Sequence, residues 1–411
     1  MKINLTFFNY KTAGKSTLDT ALIFFLLLCS GNPALPLLFG KELFVFLPLI
    51  ALIPLLFMRS LKPRRNDFFI FIFFILVSII HFLEFGAVIY RAVGSTIVNI
   101  IVALIAVRCI KDTENCYIAV MKRLVLVSFF FFIPETLGLP ISRMFPSISS
   151  DYLTDTIHIG IHNFGREDWG QRNAGFFWEP GAFAGYIILG LLFLIGEQIK
   201  NGGRIKLNYE FLILTAGLIT TFSTTGYVAF LLICVHFLLH NYGLKKAAPF
   251  VLFAIILFSG AYIGFKNFSF LSEKINVQYE ETIELRDGYE STRFGNFLYD
   301  LSSIRERPML GWSPYVSTRI KMDSEVTDIA AAQGNGLTGF AVKYGLIGML
   351  ICGWFVFSGL KTRYSNKLFS LIFMATVGTL LLGEQFFNYP IFLMLFFQNN
   401  LIKFWAHKKQ N

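Results

Sequence analysis

The stretch Q-R-N-A-G-F-F-W-E-P-G-A-F-A-G-Y, residues 171–186, is the point at which a long polar segment turns into an apolar helix. Pro180 suits the first turn of that helix, because its missing N–H would have no partner inside the helix there. Glu179, directly before it, faces the positive end of the helix dipole. Arg172, Trp178 and Glu179 therefore meet at a predicted membrane–water boundary, and we interpret them as a candidate site. The alternative for Glu179 is a helix-terminal group with a structural role.

The composition predicts a membrane environment, because 55% of the 411 residues are hydrophobic, 48 residues are Phe and the mean hydropathy is +0.60. Such a chain is too apolar for an ordinary water-soluble globule. Twelve apolar runs approach the roughly 20 residues with which a helix crosses the bilayer core. These runs cover 18–38, 43–58, 68–86, 87–107, 124–139, 175–195, 209–222, 226–240, 247–265, 336–358, 368–383 and 388–402. The prediction is an all-α integral membrane protein of about twelve transmembrane helices, forming a single polytopic domain over 1–411. The S-T-T-G segment at 223–226 joins two short runs, and it either clears the membrane or dips into it.

The positions of Lys and Arg predict the orientation, since the cytoplasmic segments of membrane proteins carry an excess of both residues. With the N-terminus inside, the inner segments hold Lys2, Lys11, Lys15, Arg59, Lys62, Arg64, Arg65, Arg108, Lys111, Lys122, Arg123, Lys200, Arg204, Lys206, Lys245, Lys246, Lys361, Arg363, Lys367, Lys403, Lys408 and Lys409. The short outer turns hold only Lys41 and Arg91. We therefore predict that both the N- and C-termini are cytoplasmic. Anionic headgroups of membrane lipids are then the expected partners of the formal net charge of +10.

The sequence indicates no nucleic acid partner and no cofactor. It contains no basic stripe and no RNA-binding motif. No His and Cys spacing and no carboxylate cluster suits a metal ion, so no metal site is predicted. All five cysteines lie in predicted spans or at the inner side, which leaves none for an outer disulfide.

Two predicted outer loops, 140–174 and 266–335, are long, and loops of this length are usually functional. The second loop has helical patterns over 273–285 and 293–307, and Pro308 then breaks the segment. We expect it to form a small helical cap on the outer face of the bundle. Its eight basic residues stand against eleven acidic ones, so a diffuse positive field cannot attract an anion there. Any phosphate would have to be bound locally, by individual arginines.

Four motifs together resemble the O-antigen polymerase and ligase superfamily, the Wzy-type bacterial polysaccharide polymerases and their relatives. They are R-N-A-G-F-F-W-E-P-G-A-F-A (172–184), S-T-T-G (223–226), S-T-R-F-G-N-F-L-Y-D-L-S-S-I-R-E-R-P-M-L-G-W (291–312) and Q-G-N-G-L-T-G-F-A-V-K-Y-G-L-I-G (333–348). The resemblance covers roughly residues 120–350, and the N-terminal spans match only in hydropathy. It implies a multi-pass protein of the bacterial inner (cytoplasmic) membrane, whose periplasmic loops form the active site. The implied reaction is inverting, metal-independent glycosyl transfer with undecaprenyl-diphosphate-linked glycans.

Within this superfamily, one departure separates two activities. The ligases carry a histidine just before the asparagine that enters the late span, and this chain reads Gln333-Gly334-Asn335 there. The missing histidine favours a polymerase that joins repeat units into O-antigen or a related surface polysaccharide. The alternative is a ligase that transfers the glycan to the lipid A core. The Arg-to-Gly spacing of eleven residues described for some polymerases is not reproduced in the outer loops. The resemblance also implies a chain-length regulator as a partner protein.

The implied chemistry suggests roles for the charged candidates. The lipid diphosphate gains negative charge as the glycosidic bond breaks, and preorganised arginines stabilise such charge. We predict that Arg172 and Arg293 bind the diphosphate. Arg305 is the next candidate for a diphosphate ligand. The acceptor hydroxyl needs a base or a group that orients it, and Glu179 is the best candidate.

The remaining candidates are expected to contact sugars. Trp178, Phe177 and Tyr289 are predicted to stack on sugar faces, and the alternative is an interfacial aromatic belt. Asn335 is predicted to begin its span with a turn and, in addition, to contact substrate.

Three ionisable residues lie inside predicted spans, and such residues are often functional. They are Glu84, Lys343 and Glu384, and reaching the outer interface would satisfy all three. A lipid-linked oligosaccharide flippase is the alternative from another class of protein. It would have discontinuous helices in repeated halves and charges around a central cavity. The polar chemistry of this chain lies mainly in two outer loops, which favours an enzyme.

Overall fold

The computed structural model describes residues 17–59, 63–144, 147–150, 153–158, 162–164, 172–265, 293–319 and 335–398. Helices dominate these residues. In chain order they are α1 (Thr17–Gly31), α2 (Ala34–Phe39), α3 (Lys41–Met58), α4 (Arg65–Phe85), α5 (Tyr90–Cys109), α6 (Thr113–Thr136), α7 (Pro180–Lys200), α8 (Tyr209–Thr220), α9 (Thr224–Phe265), α10 (Arg293–Glu306), α11 (Gly336–Tyr364), α12 (Lys367–Gly383) and α13 (Pro390–Leu393). Short 3₁₀ turns occupy Gly86–Ile89, Ile141–Met144, Val316–Thr318, Phe386–Asn388 and Met394–Phe397.

Five helical stretches in the described part of the chain are long and apolar enough to cross a membrane. They are Arg65–Cys109, Thr113–Thr136, Pro180–Lys200, Thr224–Lys245 and Gly336–Tyr364. Shorter apolar helices cover Thr17–Gly31, Phe44–Met58, Tyr209–Thr220 and Lys367–Gly383. The expected helical architecture with membrane-length apolar helices is confirmed to this extent, and the count of twelve spans stays a prediction.

The predicted last span, 388–402, is not a continuous helix in its described part. Residues 384–398 form short helical turns, and the side chains of Ile391–Phe397 are at most 4% exposed. Irregular backbone is tolerated at membrane depth where it is buried in protein. This segment is therefore packed inside the bundle instead of facing lipid along its length.

The length of helix α8 indicates where the S-T-T-G segment lies relative to the membrane. Its 12 residues correspond to about 18 Å, at 1.5 Å per residue, against a bilayer core of about 30 Å. The turn at 221–223 that joins α8 to α9 therefore favours the interpretation that this segment dips into the membrane. A second turn, at Gly243 with φ +74°, divides α9 where the sequence predicts the boundary between two runs.

The first predicted outer loop contains a small β-sheet in addition to the helices that dominate the described residues. Strands β1 (Ser147–Ser150), β2 (Leu153–His158) and β3 (His162–Asn163) form an antiparallel sheet in the order β1-β2-β3. Ser150 pairs with Leu153 and His158 pairs with His162. The β-branched residues Thr154, Thr156 and Ile157 in β2 favour an extended chain over a helix.

Helix α7 is the centre of the bundle. It is apolar on all sides, and such a helix is expected to be buried; residues 182–195 all belong to the core or are buried glycines. The Tyr186 hydroxyl donates to the Ser30 carbonyl at 3.0 Å, and the Tyr117 hydroxyl donates to the Tyr186 carbonyl at 2.9 Å. A Cβ at Gly185 would overlap the Phe386 ring, so a glycine is required where the 384–398 segment crosses α7.

The residues predicted to be cytoplasmic form ion pairs at one end of the bundle, which we call the inner end. The partners are Arg59 with Asp19, Arg108 with Asp67, and Arg363 with Glu114 and Glu197. The Arg108 guanidinium also donates to the Phe397 carbonyl at 2.7 Å. These contacts join the ends of helices that are distant in sequence. The opposite end, which holds the starts of α7 and α11, is the outer end.

Cysteine labelling tests the orientation of the two ends. Met144 is 75% exposed near the outer end, and Asn201 is exposed at the inner end. In a Cys234→Ser background, which removes the one described cysteine that is not buried, we expect Met144→Cys to react with a membrane-impermeant maleimide added from the periplasm. Asn201→Cys should react only after the membrane is permeabilised. The reverse pattern would invert the topology and place the candidate site on the cytoplasmic side.

Candidate functional site

Asn173 attaches the loop before α7 to the end of α8. Its side chain is fully buried, and its amide nitrogen donates to Ser128 Oγ at 2.9 Å and to Thr220 Oγ1 at 3.0 Å. Its amide oxygen accepts from the Gly175 N–H at 2.9 Å, which shapes the turn at Gly175. Two of the motifs quoted above, R-N-A-G and S-T-T-G, are therefore neighbours in the structure. This contact fixes the loop that leads to Glu179.

Arg172 lies beside the turn between α8 and α9. Its Nε donates to the Thr221 carbonyl at 3.1 Å, and the side chain is half-buried. One N–H of the guanidinium group thus holds the end of α8. The group has five N–H donors in a planar fork, a geometry that matches a phosphate or carboxylate.

In the aromatic run before α7, Phe177 is buried and Trp178 is partly exposed. Phe177 is fully buried and stacks on Phe176 and Tyr186, with ring centroids 4.3 Å and 4.5 Å away. The prediction that Phe177 stacks on a sugar is therefore wrong, because the apolar core occupies both sides of its ring. Trp178 is half-buried, and its ring centroid lies 5.0 Å from that of Tyr389.

Two carboxylates flank the first turn of α7. Glu179 is the N-cap residue, but its side chain makes no capping hydrogen bond. A Cβ placed on Gly181 would lie 2.7 Å from Glu179 Oε1 and 3.9 Å from Glu384 Oε1. Both carboxylate oxygens are thus near the side-chain position of Gly181, at the positive end of the α7 helix dipole. Glu384 ends α12 and lies five residues before Tyr389, so the pair is bordered by the Trp178 and Tyr389 rings.

The start of α11 packs against the same region. Asn335 is 5% exposed, and its side-chain oxygen accepts from the N–H groups of Leu337 at 3.0 Å and Thr338 at 3.1 Å. A Cβ at Gly336 would overlap the carbonyl of Glu384. The predicted turn at the start of this span is confirmed, and Asn335 caps the helix directly beside the carboxylate pair.

Helix α10 confirms the amphipathic pattern predicted over 293–307, and it lies against the start of α11. Asp300 Oδ2 accepts from Thr338 Oγ1 at 2.6 Å, and its Oδ1 accepts from Arg319 Nη1 at 3.0 Å. Burial raises the pKa of the Asp300 carboxyl, while the Thr338 hydrogen bond and the Arg319 charge act in the opposite direction. These contacts attach α10 to the outer end of the bundle.

The arginines of α10 and the following turn have different environments. Arg293 is the first residue of α10, and the exposed side chain of Arg305 lies in its last turn. Arg307 pairs with Glu84 and lies over the rings of Phe85 and Trp312, 4.9 Å and 5.0 Å from their centroids. Arg307 and Arg319 are thus held in ion pairs, with Glu84 and Asp300.

Residues 308–312 fill a break in α11. Gly345 has φ +68° and ψ 177°, which interrupts the helix, and a Cβ there would overlap the Met309 carbonyl. The N–H of Leu346 donates to the Pro308 carbonyl at 2.7 Å, and the Trp312 N–H donates to the Val342 carbonyl at 2.8 Å. The turn after α10 therefore satisfies backbone groups that the break leaves without helical partners.

Lys343 is buried in the first segment of α11, which corrects the expectation that it reaches the outer interface. It is 8% exposed, and its Nζ donates to Gln385 Oε1 at 2.9 Å and to Asn388 Oδ1 at 3.0 Å. The sequence could not reveal these partners, because Gln385 and Asn388 follow a different helix. Glu84, in contrast, is exposed and paired with Arg307.

The structure brings together part of the predicted site. Trp178, Glu179 and Asn335 meet at the outer end, and Arg172 lies at the other end of the same loop as Glu179. Tyr289 lies outside the described residues, as do the side chain of Arg293 and the helix predicted over 273–285. The sequence did not predict that Glu384 lies near Glu179. The only signal for it was a charge at the end of an apolar run.

Substitution of Asn335 separates its capping role from substrate contact. Asn335→Ala should lower the free energy of unfolding by about 1 kcal/mol, because the cap is lost. Asn335→Asp retains an oxygen acceptor and should keep the thermal stability of the wild type in detergent. If the amide N–H also contacts substrate, Asn335→Asp will lose activity at unchanged stability. Unchanged activity in this variant would limit Asn335 to capping.

No family model and no curated protein matches the chain. In the part of the chain that the structure describes, no group of three or more His, Cys, Asp or Glu side chains is arranged to hold a metal ion. The function is therefore argued from the outer end of the bundle and its carboxylates, aromatic rings and arginines.

Proposed function

We propose that the protein polymerises undecaprenyl-diphosphate-linked oligosaccharide repeat units into O-antigen or a related surface polysaccharide. In this proposal it is an inverting, metal-independent glycosyltransferase of the bacterial inner membrane. The active site faces the periplasm, both termini are cytoplasmic, and a chain-length regulator is a partner protein. The motifs at 172–184, 223–226, 291–312 and 333–348 favour this activity over others.

The carboxylate pair at the start of α7 is the observation that carries the proposal. Glycosyl transfer passes through a transition state with positive charge on the sugar ring. Glu179 and Glu384 provide two negative groups near one point, and the Trp178 and Tyr389 rings beside them suit the apolar faces of a sugar.

The proposed reaction is a single displacement. A hydroxyl of the acceptor glycan attacks the anomeric carbon of the donor, and the bond from that carbon to the phosphate oxygen breaks. The hydroxyl proton passes to the Glu179 carboxylate, and undecaprenyl diphosphate leaves with the electron pair. Because the attack comes from the face opposite the leaving group, the configuration at this carbon inverts.

Arg172 and Arg293 are proposed to stabilise the charge on the leaving diphosphate. The guanidinium of Arg172 is already oriented by the Thr221 carbonyl, so little conformational freedom is lost when it binds. Arg293 begins α10, the helix that Asp300 attaches to the start of α11. Arg305 remains the next candidate for a diphosphate ligand, since its side chain is exposed.

The lipid-linked glycans of cells that lack the protein test the proposal. We expect single repeat units to accumulate on undecaprenyl diphosphate and on the lipid A core, because units still cross the membrane and are still ligated. Long polymer that stays on undecaprenyl would instead identify a ligase. Units that remain exposed to the cytoplasm would identify a flippase.

One observation favours the flippase as a second candidate. The break in α11 at Gly345, next to the buried Lys343, resembles the discontinuous helices that line transporter sites. In transporters the free backbone groups of the break face the substrate. Here the carbonyls of Pro308 and Met309 accept from the N–H groups of Leu346 and Ile347. The polymerase is therefore the better supported function.

A further inference from the structure

A cavity of about 240 Å³ lies beside Lys343, between α5, α11 and the 384–398 segment. Its polar wall is formed by Ser95, Thr96, Asn99, Lys343 and Asn388. Asn99 also donates to the Asn388 carbonyl at 3.0 Å, so α5 and the 384–398 segment are joined at this level. The cavity is distinct from the Glu179 and Glu384 pair, which lies at the first turn of α7.

Lys343 forms no direct ion pair with the residues that the structure describes, although the Asp300 charge also acts on it. Its two partners, Gln385 and Asn388, are neutral amides, and no carboxylate lines the cavity. Asp300 is the nearby carboxylate, but it is paired with Arg319. An ammonium group has three N–H donors, so one remains for a ligand in the cavity. A buried cation inside a helical bundle is costly unless an anion accompanies it.

An apolar groove of about 510 Å³ adjoins the cavity, between α11 and α12. Phe340 and Phe387 line both spaces, and their ring centroids are 5.5 Å apart. Gly353 of α11 and Gly378 of α12 both line the groove, and a Cβ at Gly378 would meet no atom within 4 Å. The groove thus offers apolar volume for an alkyl or isoprenoid chain next to the Lys343 cavity.

We propose that the Lys343 cavity binds the phosphate group of a polyprenyl phosphate, with the polyprenyl chain in the groove between α11 and α12. The identity of the lipid rests on the proposed function, whereas the cavity and its charge do not. Polymerisation joins two molecules that each carry a polyprenyl diphosphate, so it requires a second site for lipid-linked phosphate in addition to the one at Arg172. Lys343 supplies a charge-assisted hydrogen bond to the phosphate, and Asn99 and Asn388 border it.

Native mass spectrometry of the purified, delipidated full-length protein tests this inference. The probes are undecaprenyl phosphate, phosphatidylglycerol and inorganic phosphate. We expect undecaprenyl phosphate to bind at least tenfold more tightly than either of the others. Lys343→Met should weaken its binding at least tenfold. Gly378→Leu should weaken it to a similar degree by filling the groove, and it should leave the binding of inorganic phosphate unchanged.

Two further variants control for folding. Gly94→Leu in α5 is the matched control for Gly378→Leu, because a Cβ at Gly94 also meets no atom within 4 Å and Gly94 lines neither space. It should bind undecaprenyl phosphate as the wild type does. Ala92→Leu fills the cavity from α5 and leaves Lys343 in place. It should weaken binding as Lys343→Met does, which separates loss of the site from loss of the fold.

Several results would overturn the inference. One is that Lys343→Met and Ala92→Leu both bind undecaprenyl phosphate as tightly as the wild type does. Another is that the wild type binds phosphatidylglycerol as tightly as undecaprenyl phosphate, or that Gly378→Leu leaves the binding of undecaprenyl phosphate unchanged. Tighter binding of inorganic phosphate than of the lipid would identify a site for a free anion, and the groove would then have no role. Polymer formation is measured separately. Lipid binding without polymer formation would reject the proposed function alone, and polymer formation without this binding would reject the inference alone.

Discussion

Glu179→Gln is expected to lower the rate of polymerisation by at least about 100-fold, the lower range for a general acid or base. The amide cannot accept the proton of the acceptor hydroxyl, although its shape is nearly unchanged. The substituted protein should fold normally, because the Glu179 side chain makes no capping hydrogen bond with α7. The measurement is the initial rate of polymer formation by purified protein, together with the thermal unfolding temperature in detergent.

Two variants distinguish catalysis from a structural role of Glu179. Gly181→Ala introduces a methyl group 2.7 Å from Glu179 Oε1, which displaces the carboxylate without removing it. Alanine is also the better helix former, so this variant should lose activity without losing stability. Glu384→Gln removes the neighbouring charge and should have a smaller effect than Glu179→Gln. If Glu179→Gln retains most of its activity and loses less than about 1 kcal/mol of stability, Glu179 is only a helix-terminal group.

Arg172→Ala is the second substitution that is expected to lower the rate of polymerisation strongly. Removing one preorganised donor from a developing anionic charge commonly costs about 3–4 kcal/mol, which corresponds to a rate loss of about 100- to 1000-fold. Arg172→Lys should restore little activity, since a point charge cannot reproduce a planar two-pronged contact with a diphosphate. The measurement is kcat for polymerisation, with membrane insertion checked by fractionation.

Arg143 provides the control for Arg172. It is an exposed arginine in the turn Ile141–Met144, which follows α6. Arg143→Ala should retain wild-type activity. The bond from Arg172 to the Thr221 carbonyl has a structural component, which unfolding temperatures will report. Equal tolerance of Arg172→Ala and Arg143→Ala would show that Arg172 is structural, and the proposed diphosphate site would be abandoned.

Local patterns in the sequence predicted the parts of the fold that depend on local physics. The start of α7 at Pro180 and the cap at Asn335 follow from the hydrogen-bonding requirements of a helix end. The amphipathic pattern over 293–307 correctly predicted α10. In each case a few adjacent residues contain the whole physical argument, so no distant contact is needed to make it.

The contacts that build the site were not predictable in this way. Glu384 comes beside Glu179 because α12 ends next to α7, and the partners of Lys343 come from the segment after α12. The break at Gly345 depends on residues 308–312, which satisfy its backbone groups. Phe177 looked available to a sugar because its burial depends on the packing of α7 against distant helices. Hydrophobic periodicity alone contains no information about such neighbours.

Polymer formation from a single type of substrate tests the central claim most directly. Purified protein in lipid vesicles would receive only the native lipid-linked repeat unit, isolated from cells that lack the protein. A strong chelator would be present and no nucleotide sugar. The account predicts chains of two or more units, an inverted configuration at each new linkage, and one undecaprenyl diphosphate released per linkage. Repeat units that cross the bilayer unchanged, or extension that stops on chelation and returns with magnesium, would contradict it.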